Sequence, residues 1–407
     1  MSQLGISTMS LGRCWAGHSF EHKLDMAAKH GYRGIELWHE DLMDIAARYP
    51  GGLAVFDNQL TAARYVRRLC AARRLSIICL QPFAMFEGAV DRAVHAARLA
   101  DLRLWLRLAH ALGTDLIHIA SSMAPAAQLS PDTDLAVADL QAAARLAAAQ
   151  SPPVRLSYEA LAWGSRIDTW EQSWAVVQAV DMANFGLCLD SFNIAGRIYA
   201  DPASATGCTP DAAAAVTQSM QRLVAQVDVA RVFFVQVVDA ARLAAPLVPG
   251  HEYYNAEQPS RMSWSRNCRL FYGEHERGAY LPVTQICEAF FNGLGFRGWV
   301  SLELFNKRMS ETDAEVPEEL ARRGAVCWEK LIRDMGMDVA KVETEADAEG
   351  DSKAEAKDKE ETIASALPAQ HKTALAMLKS VFTPKMLPTS IYLMASSAAL
   401  FVGMFLV

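Results

Sequence analysis

A (β/α)8 barrel is the fold class this sequence predicts, on three observations. Up to about residue 340, short apolar and β-branched runs alternate with amphipathic or alanine-rich stretches, the rhythm of parallel α/β architecture. Eight such runs occur, the number that closes a sheet into a barrel. No G-x-G-x-x-G follows the first run and no G-x-x-x-x-G-K-[ST] occurs in the chain, so the competing fold, a doubly wound nucleotide-binding sheet, lacks its usual signature.

Taken in order, the expected strands are LGISTMS (4–10), GIELW (34–38), LSIICL (75–80), DLIHIAS (115–121), VRLSYE (154–159), FGLCLD (185–190), VFFVQVV (232–238) and GWVSLEL (298–304). The segments between them read as helices. HKLDMAAKHG runs into Gly31, a residue suited to the left-handed turn that ends a helix. DLAVADLQAAARLAAAQ stops before Pro152 and Pro153, which cannot continue it. Arg67, Arg68, Arg73 and Arg74 cluster at the end of a helical stretch, where basic residues complement the helix dipole; they are read as a solvated terminus rather than a phosphate site.

The 407 residues are 52% hydrophobic and carry a formal charge of -7, a balance that disfavours a nucleic-acid partner. Eight cysteines are scattered without a CxxC pair, which fits a reducing compartment and a cytoplasmic setting. The N-terminus lacks the basic and apolar regions of a signal peptide. Three zones are expected: a catalytic barrel over 1–340, an acidic linker over 341–365, and a C-terminal extension over 366–407. Residues 341–362 hold nine acids and four bases, too polar to bury a core. Met386–Val407 carries no charge over 22 residues, so 387–407 is a candidate membrane-spanning helix that would tether a cytosol-facing barrel; a helix docked on protein is the other reading.

In a (β/α)8 barrel the chemistry sits where strands end. The last four strands close on Glu159, Asp190, Gln236 and Glu303, each after an apolar run. A buried carboxylate must be paired or neutralised. Three carboxylates and an amide at one barrel mouth would therefore need a cation among them, and an all-oxygen set points to Mg2+ or Mn2+, with Co2+ behind them.

Several motifs in order, TMSLGRCWAGHSF, GIELWHEDL, LQPF, YEALAWG, LCLDSFNIAGR, VQVVDA, MSWSRNCRLFYGE and SLELFNKRMS, make residues 3–335 similar to the 3-dehydroshikimate dehydratases of the fungal quinate pathway. Those enzymes belong to the xylose isomerase-like, sugar phosphate isomerase/epimerase barrels. The resemblance implies metal-dependent dehydration of 3-dehydroshikimate to protocatechuate, with Glu159, Asp190, Gln236 and Glu303 as the ligands. It also exposes a departure. Bacterial relatives place a proton-transferring histidine three residues after the metal-binding Asp, where this chain has Asn193.

That departure leaves the base open among His39, Glu40, His118 and Lys307, alongside Asn193 itself. His118 sits between isoleucines, where a satisfied core histidine is also expected. For the substrate carboxylate, Arg266 and Arg269 offer bidentate guanidinium groups, with Arg266 preferred. Gln81, Pro82 and Phe83 close the third strand and are expected to line the pocket. Two other functions share these features: a sugar or polyol isomerase or epimerase of the same barrel type, and an inactive, membrane-tethered binding protein. An oligomer is compatible with all three.

Overall fold

The computed structural model describes residues 1–338. Eight parallel strands close the barrel: β1 (Gln3–Ser7), β2 (Gly34–Trp38), β3 (Ser76–Phe83), β4 (Leu116–Ala120), β5 (Arg155–Glu159), β6 (Phe185–Asp190), β7 (Val232–Gln236) and β10 (Trp299–Leu302). Each pairs with its neighbours in chain order, and β10 returns to β1 to complete the ring. The acidic segment 341–365 and the candidate span 387–407 lie outside the described residues. Among the described residues no helix is long and apolar enough to cross a membrane.

The helices that cover the barrel start where their caps demand. Ser19 accepts from the His22 amide to open α1 (Phe20–Lys29), and Asp91 and Asp132 do the same for α4 (Arg92–Leu112) and α5 (Thr133–Ala148). Thr169 and Gln172 form a reciprocal capping box at α6 (Trp170–Val180). The remaining long helices are α2 (His39–Ala47), α3 (Phe56–Ala72), α8 (Ala212–Gln226) and α11 (Val316–Met335).

Strand positions alternate between two environments. Ile35, Leu37, Ile117, Ile119, Leu156, Leu187 and Leu189 pack outward under the helices, whereas Glu36, Cys79, His118, Ser157, Glu159, Cys188, Asp190, Phe234 and Gln236 share the inner face. Both faces are buried, which is why the strands read as nearly continuous apolar runs.

Four strand ends differ from the expectation by two residues or more: the third strand runs on to Phe83 and the last ends at Leu302, while the first and seventh stop early for reasons the contacts show. The first strand stops at Ser7, and Thr8–Leu11 winds into a 3-10 turn. There the Thr8 hydroxyl accepts from the Trp38 amide and Ser10 donates to the Leu304 carbonyl, so the polar residues of LGISTMS bind neighbouring strand ends instead of continuing the ladder. The seventh strand stops at Gln236. Just beyond it, β8 (Asp239–Ala240) pairs antiparallel with β9 (Arg269–Leu270), which follows α9 (Ser260–Cys268). This small sheet carries Arg269 to the barrel mouth.

The lower end of the barrel is closed by side chains that need glycine opposite them. A Cβ on Gly5 would come 2.4 Å from Ile78 Cδ1, and one on Gly34 would come 2.7 Å from Trp299 Cζ3. Overpacking of this kind costs about 1–3 kcal/mol. Gly34→Ala should lower stability by that amount, readable as a lower midpoint in denaturant with unchanged slope.

Outside the barrel wall, Glu87 is buried against β5. It accepts from the Ser122 amide at 2.6 Å and from the Tyr158 hydroxyl at 2.9 Å. Burial pushes its carboxyl up to about 7. The folded state therefore holds this proton at pH values where the unfolded chain has released it. Its contribution to stability must fall as pH rises from the ordinary carboxylate range through about 7. Glu87→Gln should flatten that part of the stability–pH curve; an unchanged slope in thermal denaturation would count against the assignment.

Candidate active site

Four acids come together inside the upper barrel: Glu159 at the end of β5, Asp190 at the end of β6, Glu303 just after β10, and Glu36 in the middle of β2. All are buried, at 5% relative exposure or less. Asn193, in the first turn of α7 (Ser191–Ile198), ties two of them together. Its Nδ2 donates at 2.8 Å to both Glu159 Oε1 and Asp190 Oδ2, while its Oδ1 accepts from the Ala162 amide. Asp190 also caps α7, accepting from the Phe192 amide at 2.8 Å, so helix and carboxylate fix each other.

Arg269 reaches into this group. Its Nη1 lies 3.0 Å from Asp190 Oδ2 and 3.3 Å from Glu303 Oε2, and it also donates to the Glu303 carbonyl. Nε is held by Ser265, and the guanidinium lies between the rings of Phe192 and Phe305, 4.1 and 4.9 Å from their centroids. One guanidinium does not balance four acids. Burial pushes Glu36 up to about 6 and Asp190 up to about 7, with Glu159 adding repulsion in each case, and it pushes Glu303 well above the carboxylate range.

Gln236 shows what would offset this charge. Its Nε2 donates to both oxygens of Glu36, at 3.1 and 2.9 Å, which fixes the amide's orientation because the oxygen would be repelled there. Its Oε1 is buried and has no hydrogen-bond partner among the described residues. An acceptor left bare beside buried carboxylates suits a hard divalent cation. Glu159, Asp190, Gln236 and Glu303 could hold one, with Glu36 orienting the amide.

The other expected site residues are spread around this centre. Gln81 touches it, donating to Glu36 Oε2 at 2.8 Å. His118 lies just below, with Nε2 2.9 Å from Glu159 Oε2 and Nδ1 3.0 Å from Ser157 Oγ. Phe83 lies in an aromatic stack, 5.0 Å from Trp105 and beneath the Arg98 guanidinium. His39 stacks on the same Trp105 at 4.5 Å, and burial together with Arg98 pushes its pKa down to about 3. Glu40 pairs with Arg13 at 3.2 Å. Arg266 donates to Gln258 Oε1, and burial with Arg13 nearby lowers its pKa to about 10.

Lys307 is exposed and lies 5.5 Å from the Tyr253 ring, in a cavity of about 460 Å3 also lined by Cys268 and Leu270. Those two residues flank Arg269, Cys268 at the end of α9 and Leu270 beside it on β9, and none of the four clustered acids lines the cavity.

Sequence reasoning missed Glu36 as a member of the site and set Arg269 behind Arg266. An acid inside the apolar run GIELW was a usable signal, since a buried charge demands partners. Nothing local distinguishes Arg269 from Arg266; the two-residue sheet that aims it inward is a tertiary feature.

A family model described as xylose isomerase-like TIM barrel matches residues 24–331. The chain is 56% identical over 344 residues to the 3-dehydroshikimate dehydratase of Neurospora crassa, covering 83% of this chain and 96% of that protein. It is 33% identical over 307 residues to the 3-dehydroshikimate dehydratase of Pseudomonas aeruginosa, covering 75% of this chain and 38% of that longer protein. Among solved structures, a xylose isomerase-like TIM barrel/4-hydroxyphenylpyruvate dioxygenase fusion protein superposes with TM-score 0.62 at 27% identity, covering 82% of this chain and 43% of that one. The IOLI protein with a bound zinc atom superposes with TM-score 0.58 at 15% identity over 82% of this chain and 99% of that one, a likeness of fold.

Proposed function

Because the chain belongs to the xylose isomerase-like TIM barrel family and, within it, groups with the 3-dehydroshikimate dehydratases, we propose that it removes water from 3-dehydroshikimate to give protocatechuate at the carboxylate cluster of its barrel mouth. Identity to the fungal enzyme over almost that enzyme's whole length favours this reading over an isomerase of the same fold or an inactive binding protein. The observation that carries the site is the bare Gln236 Oε1 among four buried acids.

Dehydration begins with loss of a proton next to the substrate ketone, followed by departure of the β-hydroxyl; a second proton loss makes the ring aromatic. When bound, a divalent cation supplies positive charge for the oxygen on which enolate charge develops. The residues of the chain divide the remaining work. Glu159, Asp190, Gln236 and Glu303 would hold the cation, with Mg2+ and Mn2+ the ions that suit an all-oxygen set. Glu36 orients Gln236, and Asn193 spaces Glu159 from Asp190.

Of the five residues expected to move protons, His118 and Asn193 touch the cluster. The Asn193 amide has no titratable proton, so its role is positioning. The His118–Glu159 pair, 2.9 Å apart, is the place where the site can hold a proton taken from substrate. Arg269 is the arginine that reaches the cluster, but its guanidinium is engaged by Asp190 and Glu303, so its role is to hold those acids, and Arg266 stays the candidate for a substrate carboxylate.

Purified protein given 3-dehydroshikimate and Mg2+ or Mn2+ should develop the ultraviolet absorbance of protocatechuate. Chelator should abolish the signal and added metal restore it. Turnover that survives complete chelation would overturn the metal-dependent reading, and no product with either ion would overturn the dehydratase reading.

A further inference from the structure

One inner-face residue has no part in this dehydration. Cys188 lies two positions before Asp190 on β6, buried at 2% exposure, and its Sγ lies close to two further donors. One ligand atom each from His118, Glu159 and Cys188 falls within 4.8 Å of the others. We infer that these three side chains form a second metal site, one layer below the oxygen set, that takes soft divalent ions of the zinc and cadmium class and shares Glu159 with the site above.

Three features of the layer support the inference. Nitrogen, carboxylate and thiolate donors at bond lengths of about 2.0–2.3 Å lie about 3.3–3.7 Å apart around a tetrahedral ion, so the three atoms need to close by roughly 1 Å to share one. The donor set differs in kind from the one above: an imidazole and a thiolate select the softer ions that an all-oxygen site does not. The imidazole is also already oriented. Ser157 Oγ, 3.0 Å from His118 Nδ1, can accept a proton as readily as donate one, so Nδ1 can carry the hydrogen and leave the Nε2 lone pair toward the ion. Glu159 keeps Oε1 on Asn193 and offers Oε2, the oxygen now facing His118.

Binding breaks the S–H bond of Cys188 and forms a sulfur–metal bond, with the proton released to solvent and no change of oxidation state. An ion held there would occupy both partners of the His118–Glu159 pair. The site would therefore act as an inhibitory position for soft metals, separate from the one proposed to support turnover.

The test uses metal-free, full-length protein carrying Cys14→Ser and Cys208→Ser, which removes the two partly exposed thiols. Titration with Cd2+ should raise an ultraviolet thiolate-to-metal charge-transfer band. Cys188→Ser should abolish the band. His118→Gln, which leaves the thiol in place, should weaken the Cd2+ dependence of the band by about tenfold or more, the scale expected even for partners outside the ligand set. Absence of the band in the parent protein, its persistence in Cys188→Ser, or unchanged affinity in His118→Gln would each overturn the site. The oxygen site contains no sulfur and contributes nothing to this band, so the result is independent of whether Mg2+ or Mn2+ supports protocatechuate formation.

Discussion

Glu303→Ala should reduce kcat/KM for 3-dehydroshikimate by about a thousandfold or more, equivalent to ~4 kcal/mol of transition-state stabilisation, and should abolish the response to Mg2+ or Mn2+. The loss of activity should not be a loss of folding. Glu303 is buried beside Glu36, Glu159 and Asp190, and its carboxyl is pushed well above the usual range by burial and by those neighbours. Removing it relieves repulsion and leaves Arg269 its contact with Asp190, so the variant in chelator should melt near the wild-type temperature. Addition of Mg2+ or Mn2+ should then raise the melting temperature of the wild type and leave the variant unmoved, because a ligand stabilises only the fold that binds it. A variant that keeps its turnover, or still gains stability from the ion, would show that Glu303 is not a ligand.

Arg269→Met should lower stability. The guanidinium contacts Asp190 and Glu303 in a buried setting, and taking one partner out of such a group costs about 3–5 kcal/mol because the remaining charge is left uncompensated. Methionine retains apolar contact with Phe192 and Phe305, so the loss reports charge more than packing. Divalent cation should recover part of the deficit by supplying positive charge to the same carboxylates. Activity should fall as well, because the acids proposed to hold the cation lose the group that positions them. An Arg269→Met protein as stable as wild type in chelator would mean that the acids are protonated or solvated and that Arg269 does not hold them.

These two residues also mark how far the sequence could be read. Barrel strands are short, buried on both faces and rich in β-branched residues, so GIELW and FGLCLD delimit themselves to the residue. Strand ends in polar sequence are harder to place. In LGISTMS the hydroxyls of Thr8 and Ser10 bind neighbouring strand ends, a competition between local turn and ladder that periodicity does not register. That Glu159, Asp190, Gln236 and Glu303 lie together at one end of the barrel was legible because the fold class says where strand ends converge.

Glu36 was harder to see because it lies within a strand and not at its end. Its partners, Gln81 and Gln236, are 45 and 200 residues away. Arg269 was harder still. Its placement depends on the two-residue pairing of β8 with β9, which has no length over which a pattern could repeat. The expectation that His39 and Glu40 serve the site followed from their closeness to a strand end. Yet His39 stacks on Trp105 of α4, and Glu40 pairs with Arg13. After β2 the chain turns away from the barrel axis at once into α2, whereas after β6 Asn193, three residues on, still reaches the acids.

The floor made by Ile78 and Trp299 over Gly5 and Gly34 has a consequence for traffic. A barrel plugged from below has a single doorway, so 3-dehydroshikimate, protocatechuate and the expelled water must all pass the loops above the strands. Release of product is then tied to admission of the next reactant. The segments that follow the strands, such as TMSLGR after β1 and FNKRMS after β10, accordingly set both which molecule enters and how soon the doorway is vacated.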